Sequence, residues 1–512
     1  MRIYKTLVTL VVAVLFSAPA IAHANADALR VGSTQAAVSL DPAAAWDHGS
    51  QQVITSLYQN LLAIPAGGTQ PRPDAAKRCA FKNARTYVCT LRSGLKFSNG
   101  DRLTAADVKF SFDRVLKIAE PTGPYSVIFN LVRVDATSER TVTMHLRRAD
   151  GAWPYVLAHT VAAIVPKQVY PARRLLANTK VIGSGPYKLG RFVPDQQAVL
   201  TRNPRYSGTA AKTKTVTVRY FADGAALKRA IEVGDIDVAF AGFSAAEIAQ
   251  LRTQAAAGVQ VLEGPGSEIH YLVFDLGKAP ADNVAVRRAI AQVIDRPALA
   301  STVYADTVKP LYSLLPEALL GAKPVFQTVY GAPNVANAQA TLAAAGIATP
   351  VTLDAFYTPS RYGPEEAAAL GEIRRQLEAS GLFRVTVGAQ EWGPYKEDAF
   401  SRHRYPMYGL GWFGDHLDGD NYLSPFLFSG GFMQNGYENA TVDRLLDREF
   451  GSTKQTERTA IFGQVQDILA RDVPLLPLWE RKRIAVVRAG VDGVQNTLDP
   501  SLQMRFWLLS KR

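Results

Sequence analysis

The chain alternates short apolar runs with segments whose apolar residues recur every three or four positions, the spacings that mark strands and amphipathic helices. Residues 29–33, 141–146, 215–221, 269–276, 383–387, 475–479 and 484–487 read as strands. Helical spacing appears over 51–62, where Val53, Ile54, Leu57, Tyr58 and Leu61 share one face, and over 225–233, 285–294, 365–380, 440–450 and 458–470. Asp295-Arg296-Pro297 is expected to end the 285–294 helix. Thr104 with Asp107 reads as a capping box opening a helix whose apolar side holds Val108, Phe112, Val115 and Leu116. Residues 79–89 read as a hairpin with a polar centre, continuing as extended chain through 91–97. This alternation of strands and helices predicts an α/β fold. One apolar run, Met-Tyr-Gly-Leu-Gly-Trp-Phe at 407–413, feeds directly into an acidic, glycine-rich turn. It reads as a buried strand whose end presents Asp415 beside Trp412.

The first 26 residues do not fit that pattern. Arg2 and Lys5 precede an apolar stretch over 7–16 and a small-residue segment ending in Ala24-Asn25-Ala26. This is the layout of a secretory signal peptide, too short to span a membrane. Cleavage is expected after Ala26, with Ala24 as the alternative, and no cysteine near the junction suggests a lipoprotein. The mature chain is expected to be soluble and exported, periplasmic or associated with the cell envelope. Export changes the reading of the two cysteines. Folding the hairpin about Ala84 places Cys79 opposite Cys89, and an oxidising compartment favours a disulfide. Two buried free thiols are the alternative. The net charge of +12 is scattered, with Arg481-Lys482-Arg483 as its longest run. Nucleic-acid binding requires a clustered basic patch with stacking aromatics, so no nucleic-acid partner is expected.

Candidate chemistry centres on the turn after the 407–413 strand. A carboxylate at Asp415 can receive a cation, and the Trp412 indole beside it can form an apolar wall. Asp415, Asp418 and Asp420 also read simply as turn formers. Calcium fits poorly, because the loop lacks the alternating acids and distant Glu of an EF-hand. Gly183-Ser184-Gly185-Pro186 is a turn into a strand, without the Gly-Lys-Ser/Thr of a phosphate loop. No Gly-x-Ser-x-Gly or His-Glu-x-x-His is present, and the seven histidines are dispersed. No metal, no cofactor and no enzymatic activity are expected; an exported hydrolase with a triad drawn from distant residues is the distant alternative.

Four blocks in order carry a resemblance: Leu91-Arg-Ser-Gly-Leu-Lys-Phe-Ser-Asn-Gly-Asp-Arg-Leu-Thr-Ala-Ala-Asp-Val-Lys-Phe-Ser-Phe112, Gly183-Ser-Gly-Pro-Tyr-Lys-Leu189, Val286-Arg-Arg-Ala-Ile-Ala-Gln-Val-Ile-Asp-Arg296, and Gly411-Trp-Phe-Gly-Asp415 with 418–421. Together they resemble the family 5 extracellular solute-binding proteins, the dipeptide- and oligopeptide-binding components of ABC importers. The resemblance implies a two-lobe α/β periplasmic-binding-protein fold with a hinge and an extra subdomain inserted in the first lobe. The first lobe is placed at 27–60, 181–267 and 481–512, the insertion at 61–180 and the second lobe at 268–480. The hinge is expected near 263–268 and 478–480.

It also implies a function without chemistry: capture of short peptides and delivery to the permease subunits of an ABC importer, by a monomer. The same fold carrying an amino acid or derivative, nickel, haem, an opine or a sugar is the alternative. Residue by residue, Asp415 matches the acceptor of the ligand ammonium, and Arg361 resembles the arginine that receives the carboxylate. Gly411 and Trp412 match positions that lie against the peptide backbone. Trp46 and His48 resemble a first-lobe contact segment, and Tyr125 is a weaker member of the ligand-binding set.

Overall fold

The computed structural model describes residues 27–512, so the expected leader lies outside the described residues. Two large mixed sheets organise the chain. In the first, the strands run in the order Val259–Gly264, Arg483–Arg488, Val238–Phe240, Ala28–Ser33, Thr215–Tyr220, Gln197–Arg202, Tyr187–Val193. Ala28–Ser33 is parallel to both neighbours, and its Leu29 and Val31 are fully buried, as a parallel strand covered on both faces requires. In the second, the order is Val308–Pro310, Leu475–Arg481, Ile269–Phe274, Met407–Trp412, Val351–Tyr357, Phe383–Ala389. Ile269–Phe274 is buried at every position and sits centrally. The architecture is the expected α/β, two-lobe arrangement.

A third sheet has four antiparallel strands, ordered Ala76–Asn83, Thr86–Leu91, Thr141–Leu146, Leu131–Ser138. Cys79 pairs directly with Cys89 across its hairpin and the two are disulfide-bonded, as their spacing predicted. On the chain-entropy model a loop this short contributes about 2–3 kcal/mol. The helix Ala105–Ile118 packs on this sheet, opened by the predicted capping box: the Thr104 backbone N–H donates to Asp107 Oδ2 at 2.9 Å. Its Arg114 reaches out to Asp41 through two hydrogen bonds of 2.7 and 2.5 Å, both side chains almost fully buried. That pair joins the four-stranded unit to the segment following Ala28–Ser33.

Three local expectations are corrected. The strand of the hairpin stops at Leu91, because 92–96 turn back with Gly94 at φ +75°. The helix expected over 51–62 runs His48–Leu57, since Asp47 caps it by accepting the Ser50 N–H at 2.8 Å. Asp295-Arg296-Pro297 ends one helix but also starts another, Arg296–Thr302, with Asp295 accepting the Ala298 N–H and Pro297 in the first turn.

Two direct crossings join the two large sheets. One runs from Val259–Gly264 through 265–268 into Ile269–Phe274. The other passes from Leu475–Arg481 through Lys482 into Arg483–Arg488. This second crossing lies just beyond the expected 478–480, because the ladder with Val308–Pro310 holds the strand through Arg481. The crossings touch: the Arg481 N–H donates to the Glu268 carbonyl at 2.9 Å, Arg481 pairs with Glu268 at 3.0 Å and Lys482 with Glu263 at 2.9 Å. Only a glycine fits at 266, where a Cβ would lie 1.9 Å from the Arg481 carbonyl oxygen. Gly266→Ala is therefore expected to lower unfolding free energy by about 1–3 kcal/mol through overpacking. Urea denaturation measures this; an unchanged midpoint would contradict the close crossing.

Candidate functional site

A cavity of about 990 Å³ lies between the two large sheets and is bounded on one side by the four-stranded unit. One wall begins with the strand Met407–Trp412. One edge of that strand pairs with Ile269–Phe274 along its whole length. On the other edge only Met407 and Tyr408 find a strand partner. Tyr395 takes over part of what remains, its Oη donating to the Gly409 carbonyl at 2.8 Å. Beyond Gly411 the edge meets the cavity with no neighbouring strand among the described residues. Gly411 is a glycine because a Cβ would stand 3.0 Å from the His270 ring on one side and 3.0 Å from the Tyr362 ring on the other.

The next loop contains three aspartates, Asp415, Asp418 and Asp420, and the fold gives each a different surrounding. Asp418 is fully buried and held by Arg458 through hydrogen bonds of 2.5 and 2.8 Å. Burial alone would raise its carboxyl, but the charge and hydrogen bonds of Arg458, with the His416 charge and the Asp420 N–H, together outweigh it and hold the group below its ordinary range. Arg458 also donates to Glu449 at 2.6 Å, and there burial, with the nearby Asp420 charge, pushes the carboxyl up. One guanidinium thus serves two buried acids whose carboxyls are shifted in opposite directions. Asp420 sits in the first turn of the helix Asp420–Leu427, where its carboxylate accepts from Ser424 and favours the helix N-terminus.

Asp415 is left facing the cavity. Its backbone N–H donates to Asn421 Oδ1 at 2.8 Å, while Asn421 Nδ2 stands 3.5 Å from Asp415 Oδ2. It makes no ion pair among the described residues. Burial raises its carboxyl above the usual carboxylate range, only partly countered by the His416 charge and the Asn421 amide. A proline sets this geometry. Pro425 lies inside the helix Asp420–Leu427 and has no N–H to give to the Asn421 carbonyl four residues back. Trp412 Nε1 donates to that freed carbonyl at 3.0 Å, and the indole edge packs on Phe426 at 5.2 Å.

The opposite wall starts at the N-terminus of His48–Leu57. His48 packs edge-on against Phe413 at 5.0 Å, a ring contact directly across the cleft. Burial lowers its imidazole below the ordinary value. Trp46 is tilted against His159 at 5.8 Å; burial drives His159 down to about 3, so it is neutral, and its Nδ1 accepts the Val161 N–H. Arg361 lines the cavity from an exposed loop, its guanidinium 5.3 Å above the Trp392 ring and without an ion pair among the described residues.

The cavity therefore brings together Asp415, Arg361, Trp412, Gly411, Trp46 and His48. Tyr125 is not among its lining residues. It lies in the turn Pro124–Ile128 with 38% of its surface exposed, and Thr122 lines the cavity in its place. Sequence reasoning missed Arg458, Trp392, Phe400 and Phe432. The Gly430-Gly431 pair before Phe432 was the available signal for a loop presenting that ring; Arg458 has no local signal for its hold on the site loop, since Asp418 lies forty residues away.

A family model described as Bacterial extracellular solute-binding proteins, family 5 Middle, matches residues 70–434. The probable D,D-dipeptide-binding periplasmic protein DdpA of Escherichia coli (strain K12) is 26% identical over 530 residues, covering 98% of this chain and 97% of the relative. Di/tripeptide-binding protein 3 of Pseudomonas aeruginosa (strain UCBPP-PA14) is 27% identical, covering 83% of this chain and 84% of the relative. The unliganded open form of the periplasmic murein tripeptide binding protein MppA shares the fold, with a TM-score of 0.82 at 20% identity, over 95% of this chain and 97% of that one.

Replacing Arg458 by methionine leaves Asp418 buried without a counter-charge. Such a loss costs about 3–5 kcal/mol, to be measured by urea denaturation of the ligand-free protein. A change under about 0.5 kcal/mol, the size of an ordinary surface substitution, would contradict the role of Arg458 in holding the loop.

Proposed function

The chain belongs to the family 5 bacterial extracellular solute-binding proteins, and on that premise we propose that it captures short peptides with a free amino terminus between its lobes and passes them to the permease of an ABC importer. The observation that carries the reading is Asp415: a carboxylate on the cavity wall, partly desolvated, with no ion pair among the described residues and held in place by a loop anchored elsewhere. An ammonium is the group that such a carboxylate lacks. Arg361 supplies the opposite end. Its guanidinium fork suits a carboxylate bidentately, and its stacking on Trp392 keeps it at the cavity. Between the two, the unpaired edge after Gly411 suits a peptide backbone laid alongside it as an extra strand. The names of the peptide-binding relatives point the same way.

The proposed lobe division is the one expected from the sequence: 27–60, 181–267 and 481–512 for the first lobe, 61–180 for the insertion and 268–480 for the second. The strand membership of the three sheets supports it. The crossings at 265–268 and 482 would serve as the hinge for closure around ligand. Trp46 and His48 would close on the peptide from the first lobe. Tyr125 has no part in the proposed site. We further propose that the protein works in the periplasm, as a monomer and without catalysis.

Asp415→Ala should weaken binding of a free dipeptide by about 2–5 kcal/mol, the cost of leaving one partner of a charge pair unpaired. The same carboxyl sets a pH dependence. Because its pKa is raised in the free protein, affinity is full where it is ionised and is lost as pH falls through a midpoint above that of an ordinary aspartate. Isothermal titration calorimetry across acid pH reads both effects. Wild-type affinity in the variant, or a flat profile in the wild type, would contradict Asp415 as the ammonium acceptor.

A further inference from the structure

Next to Asp415 the cavity wall changes character. Trp412, Phe400 and Phe432 all line it and pack on one another: Phe400 and Phe432 are 4.9 Å apart, and Trp412 and Phe432 are 6.3 Å apart. Phe432 has 52% of its surface exposed. It is presented by a loop that is well tied down. The Gly431 N–H donates to the Phe428 carbonyl at 2.7 Å, the Met433 N–H to the Pro425 carbonyl at 3.1 Å, and Ser429 Oγ to Asp443 at 2.7 Å. Gly431 itself is hemmed in, since a Cβ there would meet the Phe428 and Pro425 carbonyl oxygens at 2.8 Å. A built loop thus holds a large apolar ring open to the cavity, where a ligand group can cover it.

Asn421 fixes where on the ligand that group must be. Its carbonyl accepts the Trp412 indole N–H, while its side-chain amide holds the Asp415 loop. The aromatic wall is therefore contiguous with the site proposed for the ammonium, and the side chain borne next to a peptide's ammonium is that of its first residue. None of the three rings carries a charge. Arg361, the cation of the cavity, lies over a different ring, Trp392.

We propose that Trp412, Phe400 and Phe432 form a specificity subsite for the first side chain of the ligand, selecting short peptides that begin with an aromatic or large aliphatic residue. This rests on the peptide reading of the site given above. Offset or edge-on ring contacts, together with burial of apolar surface, supply the discrimination.

The test is calorimetric titration of the ligand-stripped mature chain with Phe-Ala, Ala-Phe, Ala-Ala and Asp-Ala, and with the same four peptides extended by a C-terminal Ala. Phe-Ala is expected to bind at least about ten-fold more tightly than Ala-Phe and Ala-Ala, with Asp-Ala weakest. In Phe432→Ala, and independently in Phe400→Ala, the ratio of Phe-Ala to Ala-Ala affinity should collapse toward one. Phe432→Leu should keep part of it. Binding of the peptides with all affinities within about two-fold of one another would overturn the subsite and leave the peptide reading standing. A preference that survives both alanine variants would overturn the assignment to these rings. Failure of every peptide to bind would overturn the peptide reading and the subsite with it.

Discussion

A single buried guanidinium decides which acid of the site loop is available to a ligand. Arg458 satisfies Asp418 with two hydrogen bonds and reaches Glu449 with a third, all of them buried. A buried charge without a partner is strongly unfavourable, so the loop is pinned wherever Asp418 must meet Arg458. Asp420 is absorbed by the helix that follows. What remains is Asp415, aimed at the cavity with its backbone tied to Asn421. The same arginine also lies against the four-stranded unit: a Cβ on Gly151 would fall 2.6 Å from its Nε. There the Gly151 N–H donates to the Phe450 carbonyl at 3.0 Å and Arg148 stacks on the Phe450 ring. The loop that presents Asp415 and the seam against the neighbouring unit therefore share one residue.

How much of this was legible along the chain depended on the range of the interaction. Local signals read well. The Thr104–Asp107 box, the Cys79–Cys89 hairpin and the strand at 407–412 are all decided within a few residues and form as their patterns require, although that strand is buried only at Met407, Tyr408 and Leu410. Asp415 stood out because a strand end followed by glycines is a local feature. The helix Asp420–Leu427 did not, because Pro425 argues against a helix in sequence. In the fold, that proline's missing N–H leaves the Asn421 carbonyl to the Trp412 indole. Strands such as Val351–Tyr357 and Val259–Gly264 also escaped notice, since their pairing partners lie far away in the chain.

The site divides along the same line. Trp46, His48, Gly411, Trp412, Arg361 and Asp415 do meet at one cavity. Tyr125 does not, because its short turn carries it onto the surface of the neighbouring unit. Phe400 and Phe432 come from segments thirty residues apart, and only tertiary packing brings their rings together. Arg458 is the extreme case: nothing near it in sequence points to Asp418, forty residues away, which it holds.

The central claim is that a ligand ammonium completes Asp415. Its most direct test compares one free dipeptide with its N-acetylated form by calorimetry on the ligand-stripped protein near neutral pH. Acetylation removes the charge while leaving backbone and side chains in place. The account predicts that the acetylated peptide loses at least about 2 kcal/mol of binding, roughly thirty-fold. Equal affinity for the two forms would show that no ammonium is recognised and that Asp415 serves some other ligand.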